Sequence, residues 1–328
     1  MRELIQSLQS SARIIQKRDI RDIWNYFPKH CRMEGSDILL GDDAAAIRYK
    51  DDYLLLAAEG VYQPLLKSDP YLAGRTSVLA NVNDIYAMGG RPIAIIDVLF
   101  SRDPKNAGEV LRGIRDNAVR YNVPVVGGHI SQNAECPSLS VFILGKAKKL
   151  LTSFSAQAGD KLVFISNLKG KFISGFNFWD SSSMLEGVEA TRQLEAISEI
   201  AEDGVADTAK DVSMAGVIGS ILMLLESSGK GAELDISNMP RPFEIPLNEW
   251  LLTFPSFGFI LSLRPDKTLI VKEKFNRLDL ACESIGTVTT EKKVYFTDGG
   301  SDKELFWDFN ERPLTGLNET SSTQVGNG

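Results

Sequence analysis

Residues 69–100 restrict the fold more than any other stretch of this 328-residue chain. Asp69-Pro70 reads as a helix start: an aspartate to cap free N–H groups, then a proline whose fixed φ suits the first turn. Gly89-Gly90-Arg91-Pro92 reads as the stop. Between them the spacing predicts a helix from about Tyr71 to Met88, with Leu72, Arg75, Leu79, Val82 and Tyr86 along one face. Ile93–Phe100 follows almost at once and is nearly all apolar, as in a strand covered on both faces. Helix, tight stop and buried strand in immediate succession imply helices layered on a sheet. Ser77, Asn81 and Asp84 fall at i, i+4 and i+7 and draw a polar line beside Ala73 and Ala80. A solvent face would carry Lys and Glu. This line carries neither, and it is predicted to face a cleft.

The flanking segments extend the pattern. Residues 3–27 predict one or two amphipathic helices, and 38–47 and 53–58 predict strands. Residues 106–121 predict a helix and 139–147 a strand. The order β-β-α-β-α-β-β is that of an α+β domain whose sheet carries helices on one face. Near 148–160 the composition turns basic, then Ser- and Ala/Gly-rich. The domain boundary is placed there, giving an N-terminal domain 1–150 and a C-terminal domain 151–314. In the second domain, 162–166, 232–236, 257–263, 269–271 and 285–288 predict strands, and 181–202 and 211–228 predict helices. Residues 315–328 are polar and rich in Gly, Ser and Thr, which predicts a disordered tail. The aromatic run Phe254–Phe259 reads as core or as a wall of an acceptor pocket, with core the commoner outcome.

Carboxylates carry the chemistry. Gly41-Asp42-Asp43-Ala44-Ala45 sets two acids ahead of a short apolar segment. In extended backbone they point opposite ways, so one faces the mouth of a buried strand, where a carboxylate needs a cation. Mg²⁺ prefers such hard oxygen ligands. Taken alone, the pair reads equally as an Asp-Asp turn. Glu59-Gly60 ends the following strand with another acid, as a site residue or as a plain turn carboxylate. His129 follows Gly127-Gly128 at a strand end, where backbone can approach a ligand closely, and it reads as a site residue or a structural one.

Several classes are excluded. A net charge of −7 with no basic run disfavours nucleic acid and membrane surfaces as partners. Cys31, Cys136 and Cys282 are far apart, so neither a zinc knuckle nor a disulfide framework is indicated. Two histidines cannot build a His-rich metal site. No secretory leader and no apolar run of transmembrane length is found, which predicts a cytoplasmic protein. Neither G-x-x-x-x-G-K-[ST], G-x-G-x-x-G nor G-x-S-x-G occurs.

In order along the chain stand Gly41-Asp42-Asp43-Ala44-Ala45, Asp69-Pro70-Tyr71-x-x-Gly74-Arg75, Asn81-x-Asn83-Asp84-Ile85-Tyr86-Ala87-Met88-Gly89-Gly90-Arg91-Pro92, Gly127-Gly128-His129 and Lys210-Asp211-Val212-Ser213-Met214-Ala215-Gly216. From about Ile38 to Val288 this series resembles the superfamily of aminoimidazole ribonucleotide (AIR) synthetase, selenophosphate synthetase and thiamine monophosphate kinase. The resemblance implies a two-domain AIR synthase-like α+β fold whose N-terminal sheets pair into a β-barrel in a homodimer. It implies ATP and Mg²⁺ as cofactors, held between the domains. Asp42, Glu59, Asp84 and Asp211 are then the implied metal ligands, with Asp42, Asp84 and Asp211 catalytic. Asp43, Asn81, Gly127, Gly128, His129 and Lys210 are the implied nucleotide-binding residues. Asp211 is expected to open a helix whose free N–H groups can hold phosphate. The segment Cys31–Gly35 lacks the glycine flank and lysine of selenophosphate synthetase, so the small-molecule acceptor stays unassigned. Two classes of function follow. One is an ATP- and Mg²⁺-dependent enzyme that phosphorylates a small metabolite or activates it as a phosphate. The other is a non-catalytic nucleotide-binding dimer that partners another enzyme.

Overall fold

The structure is a computed structural model. It describes residues 1–316 apart from 27–29, 34, 35, 174 and 301, and for 22–25, 30–33 and 36–39 it describes the backbone alone. The chain forms two compact units. One holds residues 43–151 and 180–205; the other holds 1–42, 152–179 and the chain from 206 onward.

In the first unit five strands make one sheet. They are β1 (Ala45–Tyr49), β2 (Asp52–Gly60), β3 (Arg91–Phe100), β4 (Val125–Ser131) and β5 (Ser138–Ala147), in the order β1-β2-β5-β3-β4. Only β3 and β4 pair in parallel. The two-residue period sends Leu55, Ile95, Leu99, Val141 and Ile143 into the core. Leu56, Ile96 and Phe142 are left exposed on the opposite face.

Three long helices pack in this unit, besides a short one at Gln63–Ser68: α1 (Pro70–Ala87), α2 (Pro104–Arg120) and α3 (Gly187–Glu202). The predicted signals bound α1. The Asp69 carboxylate accepts the Leu72 N–H at 2.9 Å, and Gly89 takes φ +75° just past the helix end. The helix is buried on almost every side, and the line Ser77–Asn81–Asp84 is buried with it. Helices α1 and α2 touch at glycines: a Cβ on Gly74 would stand 2.1 Å from the Val110 carbonyl oxygen.

Helix α3 comes from late in the chain and is fixed by polar contacts. Glu195 accepts the Tyr86 hydroxyl at 3.0 Å and Arg91 Nε at 2.7 Å, while Arg91 Nη1 reaches Glu202 at 2.5 Å. Burial first, and the neighbouring Glu195 second, push the Tyr86 pKa far up, so its hydroxyl stays a donor. The Ser198 hydroxyl donates to the Gly90 carbonyl at 2.7 Å, which closes the turn between α1 and β3.

Asp180 starts the segment that leads to α3, and it is buried. Burial alone would raise its pKa. The Ser183 hydroxyl and N–H, the Ser182 hydroxyl and Arg75, whose Nη1 is 3.7 Å away, outweigh burial and hold it below the usual carboxylate range. A depressed carboxyl contributes stability that is complete above about pH 4 and lost as pH falls through its lowered value. Asp180→Asn is therefore expected to be less stable at neutral pH and to lose less on acidification. Urea midpoints measured from pH 7 to pH 2.5 check this: equal slopes in the two proteins would refute it.

The second unit is built on a seven-stranded sheet. Its strands are β6 (Lys161–Ser166), β7 (Thr208–Asp211), β8 (Gly231–Asp235), β9 (Gly258–Leu263), β10 (Ala281–Thr289), β11 (Lys293–Thr297) and β12 (Lys303–Asp308). They run in the order β7-β9-β6-β10-β8-β11-β12. Helix α4 (Gly216–Ser228) is apolar nearly all round and buried to match. Glu226 near its end is buried and accepts the N–H groups of Leu314 at 2.6 Å and Thr315 at 2.7 Å. Thr315 and Gly316 are thus held inside, although the composition places both in the tail. Residues 317–328 lie outside the described residues.

Other expectations are also revised. Residues 269–271 belong to a helix, Thr268–Asn276, because a three-residue apolar run fits either period. Strands β11 and β12 escape the sequence pattern, since their alternation of polar and apolar residues is short and interrupted by turns. The helix expected from 181 begins at Gly187, and that expected from 211 begins at Gly216.

Candidate metal and nucleotide site

Backbone conformation separates Asp42 from Asp43. Gly41 adopts φ +103°, which costs a glycine little. The preceding strand ends at Leu39 and β1 begins at Ala45, so the two acids lie in a bend and not in one extended strand. Asp42 belongs with the chain that resumes at Thr152. Its Oδ2 accepts the Thr152 hydroxyl at 2.6 Å and the Ser153 N–H at 3.0 Å, and its Oδ1 accepts the Ser153 hydroxyl at 2.8 Å. Charge-assisted bonds of this number tie down the segment after Leu151.

Asp43 is half-buried in the first unit, and a carboxylate oxygen of Asp43 lies within 4.8 Å of one of Asp84. Asp43 stands beside Asp84, and Asp42 is taken up by hydroxyl and amide donors.

Helix α1 carries Asp84 one turn beyond Asn81, and both are buried. Asn81 Nδ2 donates to the Ser77 carbonyl at 2.9 Å and to the Val141 carbonyl at 3.2 Å. Asn81 Oδ1 is buried without a hydrogen-bond partner among the described residues. An acceptor left in that state costs about 1–3 kcal/mol, so it is a ready ligand for a cation or donor. Val141 is the β-ladder partner of half-buried Glu59, which puts Asn81 over the rung that Glu59 occupies.

Two carboxylates so close repel each other, and a divalent cation removes that repulsion. Mg²⁺ binds oxygens at about 2.0–2.1 Å, so opposite ligands on one ion stand roughly 4 Å apart. The Asp43–Asp84 spacing is compatible with that demand after a small side-chain adjustment.

Gly127, Gly128 and His129 are exposed on β4, the edge strand, with the His129 ring 5.9 Å from that of Phe100. The rung Glu59–Val141–Asp97–Gly128 crosses four strands, which sets Glu59 and Gly128 roughly 14 Å apart at about 4.8 Å per strand. One metal ion cannot bridge that distance. Lys210 and Asp211 are in the second unit, both buried at the end of β7, where Asp211 pairs with Phe259. Asp211 ends a strand and does not open α4. The intervening turn needs Gly216 at φ +75°, where a Cβ would also lie 2.5 Å from Leu252 backbone.

Thiol chemistry finds no support. Burial first, helped by Glu283, pushes the Cys282 thiol up to about 12, and Cys136 lies exposed at the surface. The Cys31 side chain is outside the described residues. No helix among the described residues is long and apolar enough to cross a membrane.

Comparison with known proteins agrees with this architecture. Residues 41–147 match the family model of the AIR synthase related protein, N-terminal domain, and 157–299 match that of its C-terminal domain. The chain is 42% identical over 316 residues to an uncharacterised protein of Synechocystis sp., covering 96% of this chain and 98% of that one. It is 28% identical to phosphoribosylformylglycinamidine synthase subunit PurL of Methanosarcina mazei, covering 83% of this chain and 43% of that subunit. Among solved structures, Thermotoga maritima PurL complexed with ADP superposes with a TM-score of 0.75 at 19% identity. That match covers 97% of this chain and 54% of the PurL chain, so the protein spans about half of PurL. AaThiL complexed with AMPPCP and TMP superposes with a TM-score of 0.62 at 20% identity, covering 81% and 90%. At these identities the structural likeness concerns the fold.

Proposed function

We propose that this chain, which belongs to the AIR synthase related protein family, uses ATP and Mg²⁺ to phosphorylate a small metabolite or to activate it as a phosphate. The observations that carry the reading are the approach of buried Asp84 to half-buried Asp43 and the unpartnered Asn81 oxygen one turn away on the same helix. In this reading Asp43 and Asp84 hold the metal, Glu59 and Asp211 add carboxylates, and Asn81 orients a bound water or phosphate. Lys210 and the Gly127–His129 strand contact the nucleotide. Asp42 acts as a positioning residue, since it fixes residues 152 and 153.

Phosphoryl transfer asks for positioning and charge neutralisation more than for a strong nucleophile. Bound Mg²⁺ would neutralise phosphate charge there. An acidic chain gains most from such an ion, because its own net charge opposes a triphosphate. The proteins of similar fold complexed with ADP and AMPPCP support a nucleotide as the ligand. The exposed face bearing Leu56, Ile96 and Phe142 supports a second copy of the chain as its cover.

The test is ADP release by the full chain with Mg-ATP and a panel of small alcohols, amines and carboxamides. Mg²⁺-dependent release, accelerated by one acceptor class, is expected. Nucleotide binding with no turnover across the panel would select the non-catalytic dimer instead. Absence of nucleotide binding would overturn both.

A further inference from the structure

Beyond Arg91, the strand β3 is apolar except for one residue that the site above does not use. Asp97 is only 7% exposed, and its carboxylate makes no hydrogen bond or ion pair with any described residue. Burial pushes its pKa up. Its side chain lies over the partner strand at Gly128, where a Cβ would come 2.6 Å from Asp97 Oδ1. Glycine at 128 is what leaves room for the carboxyl group.

The space above Asp97 is a cleft of about 630 Å³. Leu111, Ile114, Ala118 and Val119 of α2 line it, together with Val123. That volume falls within the usual range for small-molecule sites, as does a mostly apolar lining around one buried polar group. Arg115 also lines the cleft, but its Nε and Nη2 both donate to Asp116 Oδ1, at 2.9 and 2.7 Å. Its charge is thereby met by Asp116, Asn122 at the rim is exposed, and Asp97 is left as the buried group that selects the ligand.

We propose that this cleft binds a small amine with an apolar body, its ammonium group donating to the Asp97 carboxylate and its hydrocarbon lying against Leu111 and Ile114. A buried carboxyl without a partner is costly, and a cation that brings its own hydrogen-bond donors relieves that cost. An anionic ligand would meet the opposite field. The site is independent of the nucleotide reading, since it uses none of the same side chains except the backbone of Gly128.

Titration calorimetry with benzylamine, benzyl alcohol and benzoate, without nucleotide or Mg²⁺, tests the proposal. Saturable binding of benzylamine is expected, at least tenfold tighter than either analogue. Asp97→Asn should weaken it at least tenfold. Leu111→Arg, at a helix position 40% exposed and hence tolerant of substitution, should do the same by placing a cation at the mouth. This second variant decides the matter if Asp97→Asn proves misfolded by circular dichroism. Failure of the wild type to bind benzylamine, equal binding of benzoate, or full affinity in both variants would overturn the proposal. Each of those outcomes leaves the ADP-release test untouched.

Discussion

If Asp84 holds the metal as proposed, Asp84→Asn is expected to lower Mg²⁺-dependent ADP release by roughly 100-fold or more, because it removes a charged ligand from a buried site. The substitution keeps shape and hydrogen-bonding size while deleting one of two carboxylates whose oxygens lie within 4.8 Å. A second readout separates metal binding from general damage. A Mg²⁺ ion bound at the proposed site would stabilise only the folded state, so it should raise the melting temperature of the wild type and leave that of the variant unmoved. Turnover within a few-fold of wild type, or an undiminished Mg²⁺-induced shift, would refute the assignment of Asp84.

Gly113→Leu should destabilise the protein by about 3 kcal/mol or prevent folding. A Cβ at this position would stand 2.1 Å from the Tyr71 carbonyl oxygen and 3.0 Å from the Arg75 nitrogen. Those atoms are helix backbone and cannot step aside as a flexible side chain would. Overpacking a tight core commonly costs about 1–3 kcal/mol, and backbone contact belongs at the upper end. Gly108 lies on the same helix, but a Cβ there would meet nothing within 4 Å. Gly108→Ala should therefore stabilise by about 0.5–1 kcal/mol. Urea unfolding of both variants checks the contrast. Comparable stability in the two would mean that the helices separate without cost.

The long helix Pro70–Ala87 was legible because its signals are local: a capping aspartate, a proline and a glycine stop act within a turn. The buried line Ser77–Asn81–Asp84 was legible from the missing Lys and Glu. The different fates of Asp42 and Asp43 were not, because they depend on Gly41 φ and on Thr152 and Ser153, more than a hundred residues away. The start of α4 was misplaced for a similar reason. Residues 211–228 hold one acidic start and one apolar run, yet the first four residues after Asp211 turn against Gly258 and Ser220. Asp97 did leave a signal, a lone acid inside the apolar run Ile93–Phe100. Its meaning required the register that sets it over Gly128.

The backbone passes between the two units at 42/43, 151/152, 179/180 and 205/206. Neither unit can be completed from one contiguous stretch. The first lacks α3 until residue 202 has been made, and the second closes only when Gln9 donates to the Phe306 carbonyl, 297 positions later. At about 5–20 residues per second on the ribosome, the opening helix waits many seconds for its last partners. Contacts so remote in sequence slow folding, and the nascent chain must remain unaggregated through that interval.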